Sequence, residues 1–176
     1  PRQPIFIDFS EPPRLAGRKH CTMSADMPVY LHTPAVASAL GCGLEQHIHA
    51  LLYPVGGSPL IFSGEWVAGK KLAFGAFEHE LRPFHEDLVP DRRSRNNQLL
   101  WHALAQIEPQ IEAARTRYGA ERIAVVMGTS TSGVDENMPL FRHVAAGGAW
   151  GDIPFNQEQQ TLAAPADFVA NSYGLH

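Results

Sequence analysis

The sequence predicts an α/β fold with a largely parallel sheet. β-like and helix-like segments alternate along the chain in the order βαβαβα, which favours crossover connections. Residues 121–127 (ERIAVVM) form a near-continuous apolar run directly after a helical pattern, as a buried parallel strand does. A glycine- and hydroxyl-rich loop, residues 128–133 (GTSTSG), follows that run and precedes another helix.

Each element has its own local reason. Residues 28–33 (PVYLHT) are short, apolar and β-rich, which reads as a strand, and the small residues 34–43 as a loop. Residues 44–53 read as a helix, with Leu44, Ile48, Leu51 and Leu52 on one face at helical spacing. Residues 60–67 and 71–77 are strand-like and separated by Gly69. Ser94 is a good N-cap for a helix whose apolar stripe is Leu99, Leu100, Ala103 and Leu104. Pro109 breaks that helix and suits the first position of the next, residues 109–118, closed by Gly119. A further helix is expected from about Val134 to Ala146, then an irregular segment over 147–156. The last helix spans 163–175 and meets a Gly174 stop.

Composition bounds the function. The chain has 176 residues, 44% hydrophobic and 18% charged, enough for one domain with a core and too apolar for a disordered chain. Fourteen Lys and Arg against eighteen Asp and Glu give a net charge of −4, which points away from nucleic acid and polybasic membrane contacts. No apolar run approaches the roughly 18–20 residues of a membrane-spanning helix. Two cysteines, Cys21 and Cys42, make neither a disulfide scaffold nor a Cys-rich zinc site. Residues 1–22 carry four prolines and no helical period, which reads as a tail or linker, with Met23 a plausible native start because an ordered pattern begins just after it. They lack the pattern of a secretory leader.

Candidate chemistry is thin on these features alone. Loop 128–133 lies where α/β proteins bind ligands, yet it lacks a Walker lysine and the spacing G-x-G-x-x-G. It also misses G-x-S-x-G by one position. A phosphate cradle and a tight turn without chemistry both fit it. His47 and His49 fall on different helix faces, which argues against a shared metal. His79, Glu80, His85, Glu86 and Asp87 gather in one segment without the spacing of a zincin pair. Cys42 precedes a helix with no partner base in view, and Arg92, Arg93 and Arg95 form a small basic cluster. No metal site is expected.

Three stretches together resemble the N-terminal half of a β-ketoacyl-acyl carrier protein synthase, a condensing enzyme of the thiolase-like superfamily. They are residues 122–136 (RIAVVMGTSTSGVDE), 29–45 (VYLHTPAVASALGCGLE) and 168–175 (FVANSYGL), with 94–100 (SRNNQLL) in support. His32-Thr33-Pro34-Ala35 stands where the family usually has Thr-Gly-Xaa-Gly. That departure is consistent with an aryl-polyene or other polyketide-type branch, or with the non-catalytic chain-length partner.

The resemblance implies a thiolase-like fold, of which residues 23–176 would be an incomplete N-terminal half lacking its final strands. It implies decarboxylative Claisen condensation of an acyl thioester with malonyl-acyl carrier protein, in fatty acid or polyketide assembly, without a cofactor and in the cytoplasm. The family's nucleophilic cysteine and two histidines would lie beyond His176, so this stretch alone is expected to be inactive; neither Cys21 nor Cys42 matches the nucleophile. By position, Gly128, Thr131, Gly133 and Phe155 match the acyl pocket, and Pro154, Phe168, Val169 and Tyr173 the dimer contact. Expected partners are acyl carrier protein, a second subunit (homodimer or ketosynthase/chain-length-factor heterodimer) and the rest of its own polypeptide. An unrelated α/β domain binding a phosphorylated ligand through loop 128–133 is the remaining alternative.

Overall fold

The computed structural model describes residues 31–53, 59–65 and 67–175. The chain divides into two units, Pro1–His32 and Thr33–His176; the elements below all belong to the second. The tail reading for residues 1–22 falls outside the described residues, as do Met23, Cys21 and His176.

The first regular structure is a tight antiparallel pair, β1 (Ala37–Ser38) and β2 (Gly41–Cys42), with Ala37 opposite Cys42. It sits inside the segment expected to be a loop. The expected strand over 28–33 is not seen in its described part, residues 31–33, which are irregular; 28–30 lie outside the described residues. Helix α1 (Leu44–Leu52) follows as predicted, but its apolar face is uncovered: Leu51 is 66% and Leu52 67% exposed. The buried residue of α1 is His47, whose Nε2 lies 2.7 Å from Ser38 Oγ and Nδ1 2.8 Å from the Gly43 carbonyl. A carbonyl only accepts, so Nδ1 carries the proton and Nε2 accepts the Ser38 hydroxyl. That pair fastens α1 to the β1–β2 turn.

Strands β3 (Leu60–Ser63) and β4 (Leu72–Gly75) form an antiparallel hairpin, Leu60 opposite Gly75, within the two segments read as strand-like. Both sheets among the described residues are therefore two-stranded and antiparallel. The expected largely parallel sheet is not seen among the described residues. Of residues 121–127, read as a buried parallel strand, 121–122 belong to a 3₁₀ turn (Ala120–Arg122), 123–127 have no regular secondary structure, and Val126 is 89% exposed. Alternate residues explain the apolar run: Ile123 and Val125 pack against the core while their neighbours face out. A run of apolar residues reports burial of a face; it does not supply the neighbouring strand that a sheet needs.

The helices follow their local signals closely. Helix α2 (Arg95–Leu104) is capped by Ser94, whose side chain accepts from the Asn97 amide at 3.1 Å. Its buried residues are Asn97 and Trp101, with Leu99, Leu100, Ala103 and Leu104 only half-buried. Helix α3 (Glu108–Tyr118) has Pro109 in its first turn and ends at Gly119, φ 86°. A 3₁₀ turn, Asp135–Asn137, leads into α4 (Met138–Ala145), and α5 (Ala164–Tyr173) stops at Gly174 in the left-handed region, φ 59°.

The core forms where α2 crosses α5. Trp101, Phe168, Val169, Tyr173 and Leu175 are buried together. Trp101 meets Phe168 edge-on at 6.1 Å, and Phe84 meets Phe168 likewise at 5.7 Å, the favoured geometry for aromatic pairs. The Trp101 indole N–H donates to the Pro83 carbonyl at 3.1 Å. The Arg82 guanidinium lies over the ring at 4.2 Å and pairs with Glu108 at 3.0 Å.

Candidate functional site

Loop 128–133 is the site the sequence singled out, and its conformation is set from outside. Ser132 and Gly133 are buried, whereas Thr131 faces solvent. Gly133 has φ 51° and presses against Gln159, while the Gln160 side-chain amide donates to the Gly133 carbonyl. The Thr129 hydroxyl donates to the Thr131 carbonyl, closing the turn from within. The Ser132 hydroxyl is buried with no hydrogen-bond partner, an unusual state for a polar group.

Thr131 and Gly133 line a small cavity of about 210 Å³ together with Val134, Asp135 and Glu136, facing Arg95, Asn96 and Leu99 of α2. Its volume is below the roughly 300–1,000 Å³ of whole-ligand pockets, so it suits a short segment of a larger molecule. It also disfavours phosphate. The first amides of α2 already have acceptors: Glu136 Oε1 takes the Arg95 N–H at 2.6 Å and Ser94 takes that of Asn97. A carboxylate thus occupies the helix end where an anion would bind. Loop 128–133 itself feeds a 3₁₀ turn, not the start of a regular α-helix.

The other residues matched by resemblance are dispersed. Gly128 is exposed and lines no part of this cavity. Phe155 is 47% exposed and borders a separate cavity with Asp91, Asn156 and Thr161. Pro154, beside it, is exposed. Phe168, Val169 and Tyr173 are spent on the core against Trp101; Asp167 and Asn171 are what α5 presents outward. Burial pushes the Tyr173 phenol up to about 12, with Glu108 adding to the effect.

The remaining polar candidates are structural in this geometry. The Cys42 thiol accepts from Gln106 Nε2 at 3.3 Å, and the same glutamine amide bonds both backbone groups of Val36. Arg93 donates to the carbonyls of His85, Glu86 and Leu88, pinning that segment. His79 packs against Phe77, and His85 against Trp101. Among the described residues no group of three or more His, Cys, Asp or Glu is placed to hold a metal ion. None of their helices is long and apolar enough to cross a membrane.

Sequence reasoning missed Asn137. It precedes Met138-Pro139, which signals an N-cap, yet its side chain caps nothing in α4. It reaches across to Asn156 instead, donating to the carbonyl at 3.0 Å and accepting from the amide at 2.9 Å.

No protein-family model matches the chain, and no curated protein matches it. Among solved structures, it is similar to a chain of a ketosynthase (ApeO) in complex with its chain length factor (ApeC) from Xenorhabdus doucetiae. The match has a TM-score of 0.66 and 32% sequence identity, over 84% of this chain and 39% of that one. The fold is therefore of the ketosynthase/chain-length-factor kind, and the chain spans about two-fifths of its neighbour's length, 39%.

Proposed function

We propose that this chain is part of a β-ketoacyl-acyl carrier protein synthase, acting as one subunit of a ketosynthase/chain-length-factor type of assembly. The observation that carries the reading is the similarity to a chain of such a complex, at 32% identity over 84% of this chain. The reaction is the elongation of an acyl thioester. A cysteine thiolate takes the acyl group from the carrier protein, and malonyl-carrier protein loses carbon dioxide. The resulting carbanion forms the new carbon–carbon bond as the cysteine thiolate leaves. On this reading Thr131 and Gly133 line part of the acyl path. Cys42 does not match the family's nucleophile by position; its thiol accepts a hydrogen bond from Gln106 on the turn beside α1.

The second reading is the chain-length factor, favoured by the same neighbour because its complex contains both subunit types. Incubating the protein, co-purified with its partner, with radiolabelled acyl-carrier protein and malonyl-carrier protein tests both. Label bound covalently to the polypeptide containing these 176 residues, with a 3-oxoacyl product two carbons longer, supports the ketosynthase. Label on the partner alone supports the chain-length factor. Intact carrier-protein loading with no condensation in either arrangement overturns the proposal.

A further inference from the structure

Residues 84–92, α2 and the last turns of α5 surround a cavity of about 530 Å³, within the roughly 300–1,000 Å³ of whole-ligand pockets. It shares no lining residue with the small cavity beside Thr131. The buried rings of Trp101 and Phe168 close its floor. Phe84 and Leu88, half-buried, and Val89, 51% exposed, supply the apolar surface that a ligand meets.

The wall formed by residues 84–92 is fixed from within the fold. The Arg93 side chain donates to the Glu86 carbonyl at 2.7 Å and the Leu88 carbonyl at 2.8 Å. The Leu88 amide donates to the His85 carbonyl at 3.2 Å, and the His85 ring meets Trp101 edge-on at 5.2 Å. A wall already ordered loses little conformational entropy on binding.

Asp87 and Arg92 both line this cavity, yet they form no ion pair with each other. Neither side chain has an ion-pair or hydrogen-bond partner among the described residues. Arg92 also borders a neighbouring cavity that holds Asp91 and Asp167, and it pairs with neither. On α5 the Asn171 amide nitrogen donates to the Asp167 carbonyl at 2.6 Å, and the Ser172 hydroxyl to the Phe168 carbonyl at 2.8 Å. Both donations leave an oxygen lone pair as the remaining capacity. The cavity thus offers one cation, one carboxylate and neutral acceptors over an apolar floor.

A ligand with an anionic group alone satisfies Arg92 and faces the Asp87 carboxylate. A ligand with an ammonium alone satisfies Asp87 and faces the Arg92 guanidinium. A zwitterion with an apolar body satisfies both charges and the floor together. We infer that this cavity binds a free α-amino acid with a large apolar side chain. Arg92 takes its carboxylate, Asp87 its ammonium, and Phe84 and Leu88 its side chain. The site does not depend on the condensing-enzyme reading.

Equilibrium dialysis of the whole protein at neutral pH against L-phenylalanine, L-leucine, 3-phenylpropanoate and 2-phenylethylamine tests this assignment. The two amino acids are expected to be retained, and each analogue lacking one charge to bind roughly tenfold or more weakly than phenylalanine. Asp87→Asn should weaken phenylalanine by a similar factor and leave 3-phenylpropanoate no weaker. Arg92→Gln should do the same to phenylalanine and leave 2-phenylethylamine no weaker. Asp87 is exposed, so its variant decides the matter even where Arg92→Gln lowers the melting temperature of the unliganded protein. A singly charged analogue that binds as tightly as phenylalanine overturns the zwitterion assignment. Phenylalanine binding unchanged in Asp87→Asn overturns the placement in this cavity. Retention of neither amino acid at millimolar concentration overturns the site itself.

Discussion

Gly133 sits so close to Gln159 that a Cβ at position 133 would stand 2.5 Å from the Gln159 carbonyl oxygen. The glycine also has φ 51°, in the left-handed region that side chains rarely adopt. Loop 128–133 and the Glu158–Gln160 turn are thus packed backbone to backbone.

Gly133→Ala is therefore expected to destabilise the fold by about 1–3 kcal/mol, the range for overpacking a closed site. Backbone cannot swing aside as a flexible side chain can. Chemical denaturation of the variant beside the parent protein measures it, and an unchanged midpoint refutes the packing argument.

The contrast between Gly133 and its surroundings illustrates what the sequence could disclose. Ser94, Pro109, Gly119 and Gly174 each act through bonds or dihedrals within a few residues, so the ends of α2, α3 and α5 were legible. Whether residues 121–127 join a sheet was not, because an apolar run gives no information about what lies alongside. On α1 the spacing of Leu44, Ile48, Leu51 and Leu52 was legible, but not that tertiary structure buries His47 and leaves those four exposed. Around loop 128–133, Thr131 and Gly133, singled out by resemblance, line one cavity, whereas the long-range role of Asn137 was hidden. Its local signal names a helix cap, and its side chain serves a residue nineteen positions away.

Tyr173 carries a buried hydroxyl with no hydrogen-bond partner. Tyr173→Phe removes that unpaired group and keeps the ring against Trp101, so it is expected to be neutral or to stabilise by up to about 1 kcal/mol at pH 7. The same burial raises the phenol to about 12 from its ordinary 10.0. Folding favours the neutral form, so its contribution is full below pH 10 and is lost as pH rises toward 12. Alkaline unfolding curves of the two proteins should diverge in that window, the phenylalanine variant keeping more of its stability.

Thr131 offers a functional test of the small cavity. It is exposed on the loop side of the cavity, so Thr131→Phe fills the space with little effect on the fold. If the cavity accepts part of an acyl chain, the variant assembly should elongate long acyl primers several-fold more slowly than short ones. Equal slowing of both would show that the cavity does not select for chain length.

Asp152 supplies the pH dependence of the loop that carries Trp150 and Phe155. The hydrogen bond from His143, and then the amide of Ala149, hold its carboxyl below the ordinary value of 3.8. A depressed carboxylate contributes order that is fully present above its ordinary range and disappears as pH falls through its lowered value. The loop should therefore stay fastened at neutral pH and come loose only as the pH falls through that lowered value. Asp152→Asn keeps an acceptor oxygen for Ala149 and loses the charge facing His143, so its loop should be looser at pH 7 and indifferent to acid. Amide exchange at Ala149, corrected for the intrinsic effect of pH, measures both. Identical acid profiles for the parent and the asparagine variant would dismiss Asp152 as the group that holds the loop.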